Sequence, residues 1–283
     1  MREYRCCDSS LDKSKSDTYH LSLLASTRGL TYAVLDPFKS LYLAFGHSSF
    51  RDGIEIRDLP KTLEDKLRED ELLTLKYDSV YCMMGTKKST LIPSGLYNKD
   101  MIRSYFEFNH DLGDLDELHA NYLKHLDAYL VFSVYHEVSN AIIRHFPNAG
   151  IFNQSTAFIE NALLQQETGS EQVSACFQHD FFDIIFLRGK ELVLHNTFPC
   201  RNPSDPVYFM LYVYDKLKLD PEVVTLNMCG EIESGMASAE LIGNFIRNIG
   251  FSKASPHYEY SQGFRKMHEH AYSNLCNLYH CVS

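Results

Sequence analysis

Three apolar runs, residues 21–25, 30–35 and 41–45, are separated by Ser26-Thr27-Arg28-Gly29 and by Asp36-Pro37-Phe38-Lys39. Turn residues between short β-rich runs at this spacing predict a three-stranded antiparallel meander. Residues 62–76 then set Leu63, Leu67, Leu72 and Leu75 at mostly helical intervals among charged side chains, the pattern of an amphipathic helix. Residues 79–84 read as a strand. Beyond the stretch at 90–93, Asn98 is placed to cap a short helix over residues 101–108. Two strand-and-helix pairs follow, 128–135 with 137–146 and 150–153 with 155–166.

After the polar stretch 165–171 the opening pattern returns. Residues 173–178, 181–187 and 191–197 are three strand-like runs, divided by His179-Asp180 and by the hairpin signal Arg188-Gly189-Lys190. A helix over 205–217, a strand over 223–228, a helix near 237–248 and a C-terminal helix over 263–279 complete the reading. Each half therefore runs strand, strand, strand, helix, strand, helix, a repeat of architecture and not of sequence. A meander feeding α/β crossovers implies mixed sheets flanked by helices. The expected fold class is α/β, with two tandem ribonuclease-H-like lobes in the actin-like ATPase architecture. The expected division is an extended or disordered tail over 1–17, a first lobe over 18–170 and a second over 171–283. The break at 165–171 has no proline and is too short for a long flexible linker, so the halves are expected to fold as one unit.

Composition narrows the function classes. The 283 residues suit one large domain or two joined lobes, and 45% hydrophobic with 23% charged residues is ordinary for a folded chain. The 27 Lys and Arg against 37 Asp and Glu give a net charge of -10, which repels phosphate backbones and anionic lipid and argues against nucleic acid as a partner. The longest apolar runs, near 128–135 and 207–214, fall far short of the roughly 20 residues of a membrane span. Residues 1–17 lack the apolar stretch of a signal peptide. With no export signal, the eight irregularly placed Cys (6, 7, 82, 176, 200, 229, 276, 281) are expected as reduced thiols in the cytoplasm.

Three strings then carry a resemblance: TLIPSGLY at 90–97, GKELVLHNTF at 189–198 and LNMCGEI at 226–232. In this order and spacing, together with the ending His280-Cys281, they resemble bacterial domain-of-unknown-function family 3822 from about Ser16 onward. That family is similar in fold to actin-like ATPases and implies no established reaction.

The likeness to actin-like ATPases implies two hairpin turns, one per lobe, clasping nucleotide phosphates, with acidic residues that hold hydrated magnesium and position water. The first turn is Ser26-Thr27-Arg28-Gly29, and the strand leading into it carries neither Asp nor Glu. Ser26 and Thr27 can donate hydrogen bonds to a phosphate and Arg28 can supply charge. The same four residues also read as an ordinary hairpin turn in which Gly29 gives backbone freedom. The second turn holds Asp180, a candidate magnesium or water-positioning carboxylate that also reads as a turn residue satisfying its own backbone. The only glycine-rich candidate for an adenosine site is Gly230 to Gly235, where Glu231 and Glu233 face the ligand position and Ser234 also suits a helix cap. No Lys-Ser or Lys-Thr follows Gly235, so a phosphate-binding loop of the Walker type does not match.

Other chemistries find less. His268, His270, Cys276, His280 and Cys281 crowd the C-terminus without a Cys-x-x-Cys or His-x-x-x-His pair, so packing explains them better than zinc. There is no Gly-x-Ser-x-Gly elbow, and a nuclease would need carboxylates that neither first strand supplies. The 18 Tyr and 18 Phe fall inside the apolar runs and read as core. No catalytic residue, metal ligand or cofactor is assigned. The expected function is a non-catalytic cytoplasmic scaffold that binds another protein. The alternative is a nucleotide-binding protein, a slow ATPase or phosphotransferase that takes Mg-ATP around Ser26, Thr27, Gly29, Asp180 and Gly230.

Overall fold

The computed structural model describes residues 4–50, 53–232, 237–261, 263–264 and 269–282. In the lead-in, β1 (Tyr4–Cys7) pairs antiparallel with the strand over Leu41–Ser49, and Lys13–Thr18 form a short 3-10 helix, so the segment is ordered and only partly extended. The meander β2 (His20–Ser26), β3 (Gly29–Asp36) and β4 (Leu41–Ser49) is antiparallel, with His20 opposite Leu35 and Gly29 opposite Ser49. Helix α1 (Leu59–Glu69) buries Leu59, Leu63 and Leu67 and leads to β5 (Ser79–Met84), which runs parallel to β2. The helix ends earlier than the leucine spacing predicts because Asp70 turns extended and its carboxylate accepts the Leu72 N–H at 2.9 Å, steering Leu72 and Leu73 into the core.

Between β5 and the next crossover lies a separate antiparallel sheet. It consists of β6 (Ser89–Pro93), β7 (Asp116–Leu123) and β8 (Ala128–Tyr135) in the order β6-β8-β7, with the short helix α2 (Ile102–Glu107) between β6 and β7. Asn98 caps the turn ahead of α2 by accepting the Asp100 N–H at 3.0 Å. Helix α3 (His136–His145), strand β9 (Ala149–Asn153) and helix α4 (Gln154–Gln165) close the first half.

The second half repeats the meander in β10 (Glu171–Phe177), β11 (Phe181–Arg188) and β12 (Glu191–Pro199). Helix α5 (Asp205–Leu217), strand β13 (Thr225–Gly230), helix α6 (Ala237–Gly243) and strand β14 (Ile249–Phe251) follow. The sheet order β12-β11-β10-β13-β14 mixes antiparallel and parallel pairs, as does β1-β4-β3-β2-β5-β9 in the first lobe. The chain then returns. Strand β15 (Glu259–Tyr260) joins β4 of the first sheet, and α7 (Glu269–Val282) crosses back to it. Of the C-terminal helix expected over 263–279, residues 265–268 lie outside the described residues.

Period-two alternation decides which layer each strand serves. On β2, Leu21, Leu23 and Ala25 join the cluster under α1 and α3, whereas Leu24 joins a second cluster that includes Tyr272, Leu275, Cys276 and Leu278 of α7. The outer face of the second sheet is covered by Met210, Val213 and Tyr214 of α5 and by Ile242 of α6. Between the two sheets sits α4, buried along Gln154 to Leu163. Its Phe158, Ile159, Ala162 and Leu163 pack with Leu123 and Leu130 of the small sheet and with Cys176, Ile185, Leu187 and Cys229 of the second lobe. At roughly 1.5–3 kcal/mol for each large apolar side chain removed from water, this shared cluster joins the lobes strongly.

We expect the two lobes to unfold together. A fragment of residues 18–170 loses the second-lobe cover of α4 and the α7 cover of Ala33, Leu35 and Phe45, so it should aggregate or stay molten. Calorimetry and two-dimensional NMR of that fragment check this; a sharp transition with dispersed amide signals would contradict it.

Candidate functional site

The turn between β2 and β3 is held by its own serine, whose Oγ accepts the Arg28 N–H at 3.2 Å. Gly29 is required by crowding and not by an unusual backbone angle: a Cβ there would stand 2.6 Å from the Ser48 carbonyl oxygen. Across from it, the turn between β10 and β11 closes with the Gln178 N–H donating to the Phe181 carbonyl at 2.9 Å. The third edge is the end of β13. Gly230 has φ +82, and a Cβ would fall 2.1 Å from the Phe177 carbonyl, so only glycine fits here. That carbonyl accepts the Glu231 N–H at 2.8 Å, tying the β13 end to the second turn.

Together these edges border a cleft of about 520 Å³ between the lobes. Ser26, Arg28 and Gly29 line it from the first lobe, with Thr31 and His47. Gln178, His179, Arg201, Gly230 and Glu231 line it from the second. Thr27 and Asp180 are not in its wall. Of the expected glycine-rich segment, Glu233, Ser234 and Gly235 lie outside the described residues, as does His268 of the C-terminal group.

The two turns touch each other. An Arg28 guanidinium N–H donates to His179 Nε2, and Lys87, in the loop after β5, forms an ion pair with Asp180. Both contacts run from the first lobe to the second. Desolvation, and then the nearby Arg28 charge, lower the pKa of His179, which favours the neutral imidazole that can accept the guanidinium proton. Glu231 meets solvent in the cleft, yet the surrounding lobes desolvate its carboxyl and raise its pKa. Burial brings His47 down to about 4; its Nδ1 lies 2.9 Å from Thr31 Oγ1.

Beneath the second turn lies a carboxylate that the apolar run 181–187 concealed. Asp183 on β11 is fully buried and accepts hydrogen bonds from Thr197 Oγ1 at 2.5 Å, Ser155 Oγ at 2.9 Å and Gln154 Nε2 at 2.9 Å. Gln154 also exchanges hydrogen bonds with the Thr86 backbone, at 2.9 Å each way. His195 stands beside Asp183. Desolvation lowers its pKa, opposed by the Asp183 charge, and its Nε2 has no hydrogen-bond partner among the described residues.

Magnesium is implied by the ATPases of this architecture, and the residues present do not fit it. A hydrated magnesium needs exposed carboxylate oxygens. No carboxylate comes from β2, Asp180 is paired with Lys87, and Asp183 is engaged by three donors and sealed from the cleft. This leaves Glu231, its pKa raised by desolvation, as the single carboxyl among the described residues of the cleft wall. Among the described residues no group of three His, Cys, Asp or Glu side chains converges on one point. Of the C-terminal residues, Cys276 is buried on α7 in a cluster with Phe45, Tyr272 and Leu278, and the buried His270 donates its Nε2 N–H to the Ile232 carbonyl. The cleft wall offers the cations of Arg28 and Arg201, the amides of Gln178 and Asn202 and one carboxyl, Glu231, a chemistry of anion or peptide contact.

The sequence of residues 8–249 matches the model of the protein family of unknown function DUF3822. The chain belongs to DUF3822. For this DUF3822 protein, no protein of curated function matches in sequence. Among solved structures it is similar to a Bacteroides thetaiotaomicron VPI-5482 protein with actin-like ATPase fold and unknown function. That match has 23% identity and a TM-score of 0.79, and covers 86% of this chain and 94% of that one. It is also similar to a chain of the PilM-PilN type IV pilus biogenesis complex, with 12% identity, a TM-score of 0.63 and coverage of 93% and 98%. The two meander-led lobes thus form an actin-like ATPase fold, as expected. No helix among the described residues is long and apolar enough to cross a membrane.

Asp183→Ala should lower unfolding free energy by about 3 kcal/mol, because the buried Ser155 and Gln154 donors and the half-buried Thr197 hydroxyl lose their acceptor, and each unsatisfied buried group costs about 1–3 kcal/mol. Urea titration measures this, and a loss under 1 kcal/mol would refute the assigned network. A second expectation concerns pH. The folded pKa of His47, about 4, lies below the unfolded value near 6.5, so the unfolded chain takes up the proton first as pH falls. The resulting stability is complete above pH 6.5 and is lost as pH falls toward 4, at up to about 1.4 kcal/mol per pH unit. His47→Asn should flatten the stability profile between pH 6.5 and 4.5 by up to one proton; identical slopes in the two proteins would reject it.

Proposed function

We propose that this protein is a non-catalytic cytoplasmic scaffold that binds another protein and uses the actin-like fold as a rigid platform. The observation that carries this reading is a pair of contacts between the lobes beside the cleft, Arg28 of the first turn with His179 of the second and Lys87 of the loop after β5 with Asp180 of the second turn. These contacts tie the second turn to the first lobe, and they engage the one turn carboxylate, Asp180. Phosphoryl chemistry depends on electrostatic groups preorganised around the transferring group, whereas here Arg28 is engaged by His179 and Asp180 by Lys87. A neighbour of the same fold occurs in the PilM-PilN type IV pilus biogenesis complex, so the platform use has a precedent by fold analogy.

A second reading rests on the cleft itself. Its volume of about 520 Å³ falls within the range of small-molecule sites, and Arg28, Arg201 and Gly230 are placed to meet an anion such as a nucleotide. Thermal unfolding separates the two. Under the scaffold reading, Mg-ATP at millimolar concentration produces no hydrolysis above background and no change in melting temperature. A ligand at a hundred times its Kd would add about 2.7 kcal/mol. An ATP-dependent rise in melting temperature that disappears in Arg28→Ala or Asp180→Ala would replace the scaffold reading with the nucleotide one.

A further inference from the structure

The small sheet β6-β8-β7 and α2 have no counterpart in the second lobe's meander, and they carry an unusual share of uncovered apolar surface. Phe108, just after α2, is 87% exposed, Leu96 is 70% exposed, and Leu115, at the entry to β7, is 61% exposed. Across the outer face runs a row of tyrosine rings. Tyr105 of α2 lies 6.3 Å from Tyr97, which stacks on Tyr129 at 3.8 Å, which in turn meets the half-exposed Tyr122 at 5.1 Å. The opposite face of the same sheet is committed to the interior through Leu123 and Leu130. Exposed rings and aliphatic side chains gathered on one accessory unit are the composition of an interface core.

Charge selects the occupant. The unit of residues 86–135 holds seven carboxylates (Asp100, Glu107, Asp111, Asp114, Asp116, Glu117, Asp127) against five cations (Lys87, Lys88, Lys99, Arg103, Lys124), and of these Lys87 is taken up by Asp180 of the second lobe. Arg103 is paired with Glu107, and Glu117 is held by His119 and His136. Asp100, Asp111, Asp114 and Asp116 make no ion pair among the described residues. A second copy of this chain would bring the same acidic rim against itself, and anionic lipid or nucleic acid would be repelled as well. We infer that the face bearing Phe108, Leu96 and the tyrosine row docks a basic, apolar-bearing segment of another protein. This inference rests on the scaffold reading and gives it a surface and a partner chemistry. The contact needs no covalent step and no ligand in the cleft.

The test uses the full chain in its native cells with the photo-crosslinking residue p-benzoylphenylalanine placed, one at a time, at Phe108, Leu96 and, as a control on α5, Tyr208. All three side chains are largely exposed, so folding is preserved. The expected result is a cross-linked peptide from positions 108 and 96 that carries net positive charge and several apolar residues. A synthetic copy of that peptide should bind the purified protein, weaken with added salt, and bind about tenfold more weakly to Phe108→Ser. Cross-links at 108 and 96 to an acidic or uncharged segment, or to a second copy of this chain, would overturn the inference. Cross-links at 208 alone would overturn it while leaving the scaffold reading intact, and the absence of protein cross-links at all three positions would count against both.

Discussion

A helix that is buried on every side must find a partner for each polar group it carries, and α4 is such a helix. Its first residues supply Gln154, Ser155 and Thr156, and its middle supplies Glu160 and Asn161, all withdrawn from water. Each is answered. Ser155 and Gln154 reach Asp183 of the second lobe, Thr156 donates to Asn121 of the small sheet at 2.8 Å, and Glu160 accepts the backbone N–H of His125 at 3.1 Å and contacts its ring. An unanswered buried group costs about 1–3 kcal/mol, so these partners leave the helix little freedom to slide or rotate. Because the partners belong to both lobes and to the small sheet, the placement of all three units follows from satisfying one helix. The separation of the two hairpin turns, and with it the cleft, is set by the same network.

That constraint explains why the turns meet. With Gln154 bridging the Thr86 backbone and Asp183, the loop that bears Lys87 is held against the second turn that bears Asp180. Arg28 and His179 complete a second contact between the turns. The fold is that of actin-like ATPases, and beside its cleft Arg28 meets His179 and Lys87 meets Asp180. A fold by itself assigns no activity, so the site residues carry the argument about function.

The meanders, their turns and the order of crossovers were legible because each strand is a short apolar run bounded by turn residues. The runs of Leu, Ile and Val in β2, β3 and β11 could hardly be read otherwise. Strand β7 was not legible: its sequence DELHANYL contains no apolar run, and its buried Asn121 is retained for hydrogen bonds to the Ile151 carbonyl and to Asn153 and Thr156. The end of α1 was misplaced because Leu72 and Leu75 continue the helical spacing after Asp70 has broken the helix. At the site, the turns were found from sequence, but Asp183 was hidden by its setting FFDIIFL, where a single charged residue inside an apolar strand was the available signal. The contacts Arg28–His179 and Lys87–Asp180 join positions 151 and 93 residues apart, and no local pattern announces such pairs.

The return of the chain to its first sheet has a consequence for synthesis. Strand β15 and helix α7 cover Ala33, Leu35, Tyr42 and Phe45, residues made more than two hundred positions earlier. During translation that face has no cover until the second lobe has already emerged. A domain assembled from the N-terminus could not reach its native packing in that interval. The first lobe begins the chain and is the last to be finished, and the long loop that must close before it is complete makes folding slow by topology, independent of final stability.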